Sequence, residues 1–249
     1  MEKKFSKDIQ SLINDYEYLV KGIDTKAKES EDRAYGGIIR AGKGMLVESL
    51  AKSLIEIAWK ELGGEPVRLS LEKKTVRIPI RKEYIERVKS PEVKKFIKDH
   101  INDFYFPLRT DVHVHVDGKF KIAIECKAFT ENAMLKRILV DFTLFKQVFP
   151  NLSFVLFQLE SQLGGDYSTT NHVKYGSPST HTLLSYFDID LNIITLLEGE
   201  RKVDKPIHKP EYYKSLRAES LLAALEVFKN LIKKNLPPKK NLKSSLLSY

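Results

Sequence analysis

Residues 110–127 read TDVHVHVDGKFKIAIECK, and this stretch decides the fold. Val112, Val114 and Val116 alternate with His113 and His115, the period of two in which successive side chains take opposite faces of a strand. Asp117-Gly118 is a strong hairpin signal. Phe120, Ile122, Ile124 and Cys126 then form the apolar face of a return strand. A two-residue turn would set Val114 opposite Lys121 and mix the faces. A three-residue loop, Asp117-Gly118-Lys119, sets Val116 opposite Phe120, Val114 opposite Ile122 and Val112 opposite Ile124, so the apolar matching predicts that loop. In this register Asp111 lies opposite Glu125. Glu125 and Lys127 share a face, and Cys126 points into the apolar layer.

Downstream, Glu131 to Val148 predicts a helix, with Leu135, Ile138, Leu139, Phe142 and Phe145 on one side. Leu152 to Leu159 is a nearly continuous apolar run, as in a strand buried on both faces. Strand, helix, buried strand predicts a crossover to a parallel neighbour. Upstream, residues 1–22 predict an amphipathic helix, and Thr25 to Arg33 a loop. Tyr35-Gly36-Gly37 reads as a flexible joint, and about Gly44 to Leu62 as a second helix stopped by Gly63-Gly64. Val67–Leu71 and Thr75–Ile80 predict short strands, the second at an edge because of Pro79. Lys82–Val88 and Pro91–Asn102 predict helices, the latter capped by Ser90 with proline at its first position. Residues 163–182 read as a long polar loop, Asp190–Leu197 as a strand and Ser215–Lys233 as a helix. The fold class expected is therefore α/β, a central mixed β-sheet flanked by helices, with helical additions at both ends. The expected organisation is one domain over 1–249, with a core at about 43–160 and a flexible basic tail at 235–249.

The chain has 249 residues, 42% hydrophobic and 30% charged, which suits a folded core and excludes a disordered polyelectrolyte. Lys and Arg number 42 against 33 Asp and Glu, a formal charge of +9 and a pI near 9.3. A basic surface meets polyanions, nucleic acid above all. Cys126 is the one cysteine, so no intrachain disulfide forms, as suits a reducing compartment. The first twelve residues lack the apolar stretch of a signal peptide, and no run nears the ~20 apolar residues that span a bilayer. A cytoplasmic location without membrane attachment is expected.

Glu125-Cys126-Lys127 is an acidic-x-Lys triplet, a spelling that recurs at Glu2–Lys4, Glu72–Lys74, Glu92–Lys94 and Glu200–Lys202. Its setting separates it from the others. It ends an apolar strand whose hairpin partner begins at Asp111, so two carboxylates and an ammonium converge on one sheet face. Phosphodiester hydrolysis uses such a set. A hard cation such as Mg²⁺ takes one or two carboxylates together with water and phosphate oxygens. The lysine places the attacking water and adds positive charge at the transition state.

Thr110-Asp111 followed by Glu125-Cys126-Lys127, and the helix and strand beyond, resembles the PD-(D/E)xK nuclease superfamily, with Thr where the family's first motif has Pro. The resemblance implies an αβββαβ core. It also implies Mg²⁺, with Mn²⁺ as substitute, on Asp111, Glu125 and the Cys126 carbonyl, and an upstream helix glutamate facing the metal. Glu48 takes that place, with Glu56 as its rival. Within the superfamily the chain looks most like a type II restriction endonuclease, implying double-stranded DNA as substrate and a homodimer. A structure-specific nuclease and a non-catalytic DNA-binding protein of the same fold are the alternatives.

For DNA contact, Arg40 and Lys43 precede the Glu48 helix, and Lys136 and Arg137 lie on the polar face of the crossover helix, all suited to phosphates. Asn171, His172 and Lys174 in the 163–182 loop have side chains that reach base edges. Ordinary solvated faces and a plain surface loop are the competing readings of these groups. A zinc site on His113 and His115 lacks further ligands.

Overall fold

The computed structural model describes residues 6–28 and 32–236, and the side chains of 25–36 are left aside. The chain opens with helices α1 (Lys7–Lys28) and α2 (Asp32–Glu61), then strand β1 (Leu69–Glu72). An excursion follows, made of β2 (Val76–Pro79), α3 (Lys82–Arg87), α4 (Pro91–Asp99) and β3 (Tyr105–Leu108). The hairpin is β4 (Val112–Val116) and β5 (Lys119–Glu131). Next come α5 (Asn132–Val148), β6 (Ser153–Gln162), α6 (Pro178–Ser185), β7 (Leu191–Thr195) and α7 (Ala218–Asn235).

The main sheet runs β1-β4-β5-β6-β7. The first three strands are antiparallel, and β6 and β7 lie parallel to β5. It is the mixed sheet expected. One face packs α1, α2 and α7 on Val112, Val114, Ile122, Ile124, Val155 and Phe157. The other packs α5 on Ala123, Phe154 and Leu156. Nine of the ten residues of β6 are buried, which explains its unbroken apolar spelling. The excursion forms its own two-stranded sheet, β2 with β3, and Pro79 stands on an edge there.

The turn departs from expectation. Asp117 and Gly118 have φ of 52° and 70°, the two left-handed residues of a two-residue turn, and Val116 pairs with Lys119. His115 then pairs with Phe120. A bulge follows, and Val114 pairs with Ile122 and Val112 with Ile124. The apolar pairs near the site are those anticipated, but a bulge restores them, where a longer loop was expected. Energetics explain the choice. Slipping the register would expose Val112, Val114, Ile122 and Ile124, each worth ~1.5–3 kcal/mol buried, against about one hydrogen bond disturbed at the bulge.

Other boundaries differ as well. Helix α1 continues to Lys28 and α2 begins at Asp32, so most of the expected 25–33 loop is helical. Residues 29–31 lie outside the described residues. Gly36-Gly37 sits inside α2 and is no joint between elements. The expected 163–182 loop ends early, because Ser177 caps α6 by accepting from the Thr180 N–H, with Pro178 at the first helical position. Of the expected tail, Asn235 closes α7, while 237–249 lie outside the described residues. No helix among the described residues is long and apolar enough to cross a membrane.

Candidate active site

Strand β4 begins at Val112, so the backbone N–H of Cys126, one step further along β5, has no strand partner on that side. Asp111 fills the gap: the Cys126 N–H donates to its Oδ2 at 2.9 Å. The hydrogen bond fixes the Asp111 carboxyl where β4 meets β5, next to Glu125. Lys127 Nζ pairs with Glu125 Oε1 at 2.5 Å, on the face the two share. Asp111, Glu125 and Lys127 are thus brought together as the sequence predicts. All are partly exposed, and Cys126 between them is buried in the apolar layer with its thiol pushed well up by burial.

Glu48 reaches this place from α2, but through an intermediary. Lys73, in the connection after β1, donates to Glu48 Oε2 at 2.9 Å and to Asp111 Oδ1 at 3.0 Å. Lys52 donates to Glu48 Oε1 at 2.8 Å. Glu56, the rival, is exposed to solvent. Burial lifts the Glu48 carboxyl, and the hydrogen bonds from Lys52 and Lys73 more than reverse it, holding the group below the usual range. Burial lowers Lys73, and its two carboxylate partners outweigh that, raising its ammonium. Glu125 behaves oppositely. Burial and the nearby Asp111 charge raise its carboxyl against the pull of Lys127. A carboxylate whose burial is not fully offset by its resident cation favours the arrival of another cation.

Lys73 is not legible as a site residue in the sequence. Glu72–Lys74 looks like an ordinary acidic-x-Lys spelling, and Lys74 does pair with Glu72. Nothing local links Lys73 to a carboxylate 38 residues later; only the fold does. Asp141 of α5 is a second omission. Burial raises its carboxyl, while Arg137 and Lys127 draw it down, so it lies within electrostatic reach of the site.

Whether a divalent cation fits can be tested on the donors. Among the described residues, no group of three or more His, Cys, Asp and Glu is close enough to hold a metal ion. Asp111 and Glu125 offer two carboxylates. That set is too poor for zinc and typical for Mg²⁺, which keeps several waters. His115 stacks on Phe120 at 5.2 Å. His113 stacks on Phe120 at 4.4 Å and meets Phe145 edge-on, an aromatic packing role.

The predicted DNA-contact residues divide. Arg40 and Lys43 line a cavity of about 400 Å³ that also includes Lys127 and Arg201, so they flank the site. Lys136 and Arg137 are exposed on α5. Asn171 is occupied: its side-chain amide donates to the carbonyls of Asp166 and Val173 at 2.9 and 2.8 Å and accepts from the Val173 N–H. Lys174 donates to the Asn171 carbonyl at 2.9 Å. His172 is exposed.

No family model matches the chain. It is 46% identical over 230 residues to the type II restriction enzyme DdeI of Desulfomicrobium norvegicum, a match covering 90% of this chain and 96% of that protein. A chain of the native BbvCI A2B2 tetramer aligns over 92% of this chain and 89% of its own, with a TM-score of 0.36 and 11% identity, too slight a likeness to carry an argument.

Proposed function

The chain belongs to the type II restriction enzymes, and from that premise we propose that it cuts double-stranded DNA at a defined sequence with Asp111, Glu125 and Lys127 as its catalytic centre. The reading places the centre in the PD-(D/E)xK class, with Glu48 as the helix carboxylate. The observation that carries it is the Asp111 carboxyl, fixed by the Cys126 N–H beside the Glu125–Lys127 pair in a partly exposed notch of the sheet.

Asp111, Glu125 and the Cys126 carbonyl would hold Mg²⁺, with Mn²⁺ as substitute. When bound, the ion neutralises charge at the scissile phosphate and makes water a better nucleophile. The chain's own residues do the rest. The Cys126 N–H keeps one Asp111 oxygen aimed and prevents the carboxyl from rotating away. Lys127 shares a face with Glu125, so its ammonium is placed to hold a water in line with the phosphorus. It also offsets charge on the phosphate oxygens in the transition state. Lys73 and Lys52 keep Glu48 ionised at neutral pH, available to orient solvent around the centre. Arg40 and Lys43, along the adjoining cavity, suit neighbouring phosphates. A homodimer, one subunit per strand, matches a palindromic site.

The test is digestion of plasmid and phage DNA with and without Mg²⁺. Discrete bands that need the metal are expected; a smear or metal-independent cutting overturns the reading. Lys127→Ala should lower the cleavage rate by about 10²–10³-fold while duplex binding in Ca²⁺ is retained. Undiminished cutting by that variant removes Lys127 from the mechanism.

A further inference from the structure

The chain's positive charge is unevenly placed. Residues 73–109 hold eleven Lys and Arg against five Asp and Glu, a formal +6 of the chain's +9. This segment is the excursion between β1 and β4, two strands that neighbour each other in the sheet, so it leaves the core and returns to it. Its root is at the catalytic centre. It begins at Lys73, bound to Asp111 and Glu48, and ends at Arg109, two residues before Asp111.

Little of the segment is buried. Ile78, Ile85, Ile97 and Leu108 are buried, Ile78 and Leu108 in the core that packs on α5, whereas Tyr84, Val93, Phe96 and Phe106 are exposed. Several cations are already engaged: Arg81 with Glu83, Lys94 and Lys98 with Glu86, and Arg77 over the Tyr105 ring. Lys82, Lys89 and Lys95 are exposed and make no ion pair among the described residues. A surface that is strongly basic, thinly packed and rooted beside a phosphodiester-cutting centre matches the charge of a nucleic-acid backbone.

We propose that residues 73–109 form an arm that grips the DNA backbone next to the cut site, with Lys82, Lys89 and Lys95 on phosphates. The inference rests on the nuclease reading and adds to it a surface outside the DNA-contact residues legible in the sequence. A duplex whose scissile phosphate lies at Asp111 and Glu125 necessarily passes the root of the arm. Contacts of this kind position the duplex and carry no base information.

The experiment compares the full-length parent with a triple variant, Lys82→Gln, Lys89→Gln and Lys95→Gln. A matched control loses the same charge on α1 and α2 through Lys7→Gln, Lys21→Gln and Lys60→Gln. Binding to a fluorescent 30-base-pair duplex is read by anisotropy in EDTA over a range of NaCl. The arm variant should bind about tenfold or more weakly, and its slope of log K against log salt should be shallower by about 0.9 for each phosphate no longer neutralised. The control should keep the parent's slope. A parent that cuts plasmid with Mg²⁺ while arm variant and parent share one slope overturns the arm. So does an equal loss in arm variant and control, which makes the effect one of net charge. Sedimentation of the arm variant as a smaller oligomer than the parent also overturns it, because the patch is then an interface between copies of the chain. A parent that neither binds nor cuts fails earlier, at the nuclease reading. Lys95→Glu alone gives a second, less invasive probe with the same signs.

Discussion

The β4–β5 hairpin carries charge at both ends, and the ends differ in kind. At the open end Asp111, Glu125 and Lys127 have side chains 25%, 20% and 32% exposed, and burial displaces the Glu125 carboxyl upward. At the turn end Arg68 grips Asp117 through both carboxylate oxygens, at 2.7 and 2.8 Å, with side chains 41% and 44% exposed. The turn end also has the larger cavity, about 640 Å³, bordered by Lys119, Lys121, Lys146 and Lys234. Neither cavity size nor local charge distinguishes the proposed catalytic end. What does is a carboxylate partly withdrawn from water without a fully compensating partner, and a backbone donor that fixes its neighbour.

The largest expected contrast is in cleavage. Asp111→Asn keeps an acceptor for the Cys126 N–H and removes the charge proposed to hold a cation. Cleavage should fall at least about 10²-fold, with metal-free duplex binding unchanged or stronger. A variant that cuts at the parent's rate would erase the distinction between the two ends. Next comes a pH effect from the middle of the hairpin. His113 is 1% exposed, and burial, aided by the His115 charge, pushes its imidazole down to about 4. It therefore stays neutral in the fold while an unfolded histidine protonates near 6.5. Its contribution is complete above pH 6.5 and is lost as pH falls toward 4, a loss of up to about 3 kcal/mol. Urea midpoints across that window measure it. His113→Gln, which retains an acceptor for the Thr110 N–H, should flatten the decline; an unaltered slope would assign the pH response elsewhere.

Lys73→Met should act at a smaller scale. Asp111 and Glu48 lose their shared partner, which for a partly exposed bridge costs roughly 1 kcal/mol in the metal-free protein. The two carboxylates then depend more on an added cation. The thermal midpoint of the variant should rise further with Mn²⁺ than the parent's does, and an equal rise would separate Lys73 from the proposed cation site.

How much of this was legible follows from the range of each cause. The hairpin pairing near the site came from side chains two residues apart, and those pairs are present. The turn departs from the predicted loop because a bulge at Lys121 repairs a register that the turn alone would spoil, and nothing in one strand's spelling announces a bulge. Ser177-Pro178 bears the same cap-and-proline signal that is recognisable at Ser90-Pro91, yet the polar residues around it concealed the start of α6. Strand β3 went unseen because its YFPL spelling is short and contains Pro107. Gly36-Gly37 looked like a joint because glycine lowers helix propensity by about 1 kcal/mol, a weak preference that the surrounding helix overrode. At the site, Asp111, Glu125 and Lys127 were legible since one hairpin places them. Glu48 needed the resemblance, and its rival Glu56 was separated from it only by the fold. Lys73 was illegible, because its partners lie on two other elements.

The smallest effect belongs to the turn end. Arg68 and Asp117 form a well-aligned pair, and the guanidinium draws the Asp117 carboxyl below its ordinary value. Both groups face water, however, so solvent supplies most of what the pair would lose. Arg68 also lies over the Trp59 ring at 5.8 Å, a contact too long and too wet to tip that balance. Arg68→Ala should lower the thermal midpoint by less than about 2 °C, and the difference should shrink further in 1 M NaCl as screening shortens to about 3 Å. Cleavage should be unchanged. A drop approaching that of Lys73→Met, or one indifferent to salt, would mean that the turn end stores energy as the open end does, and partial burial would no longer distinguish them.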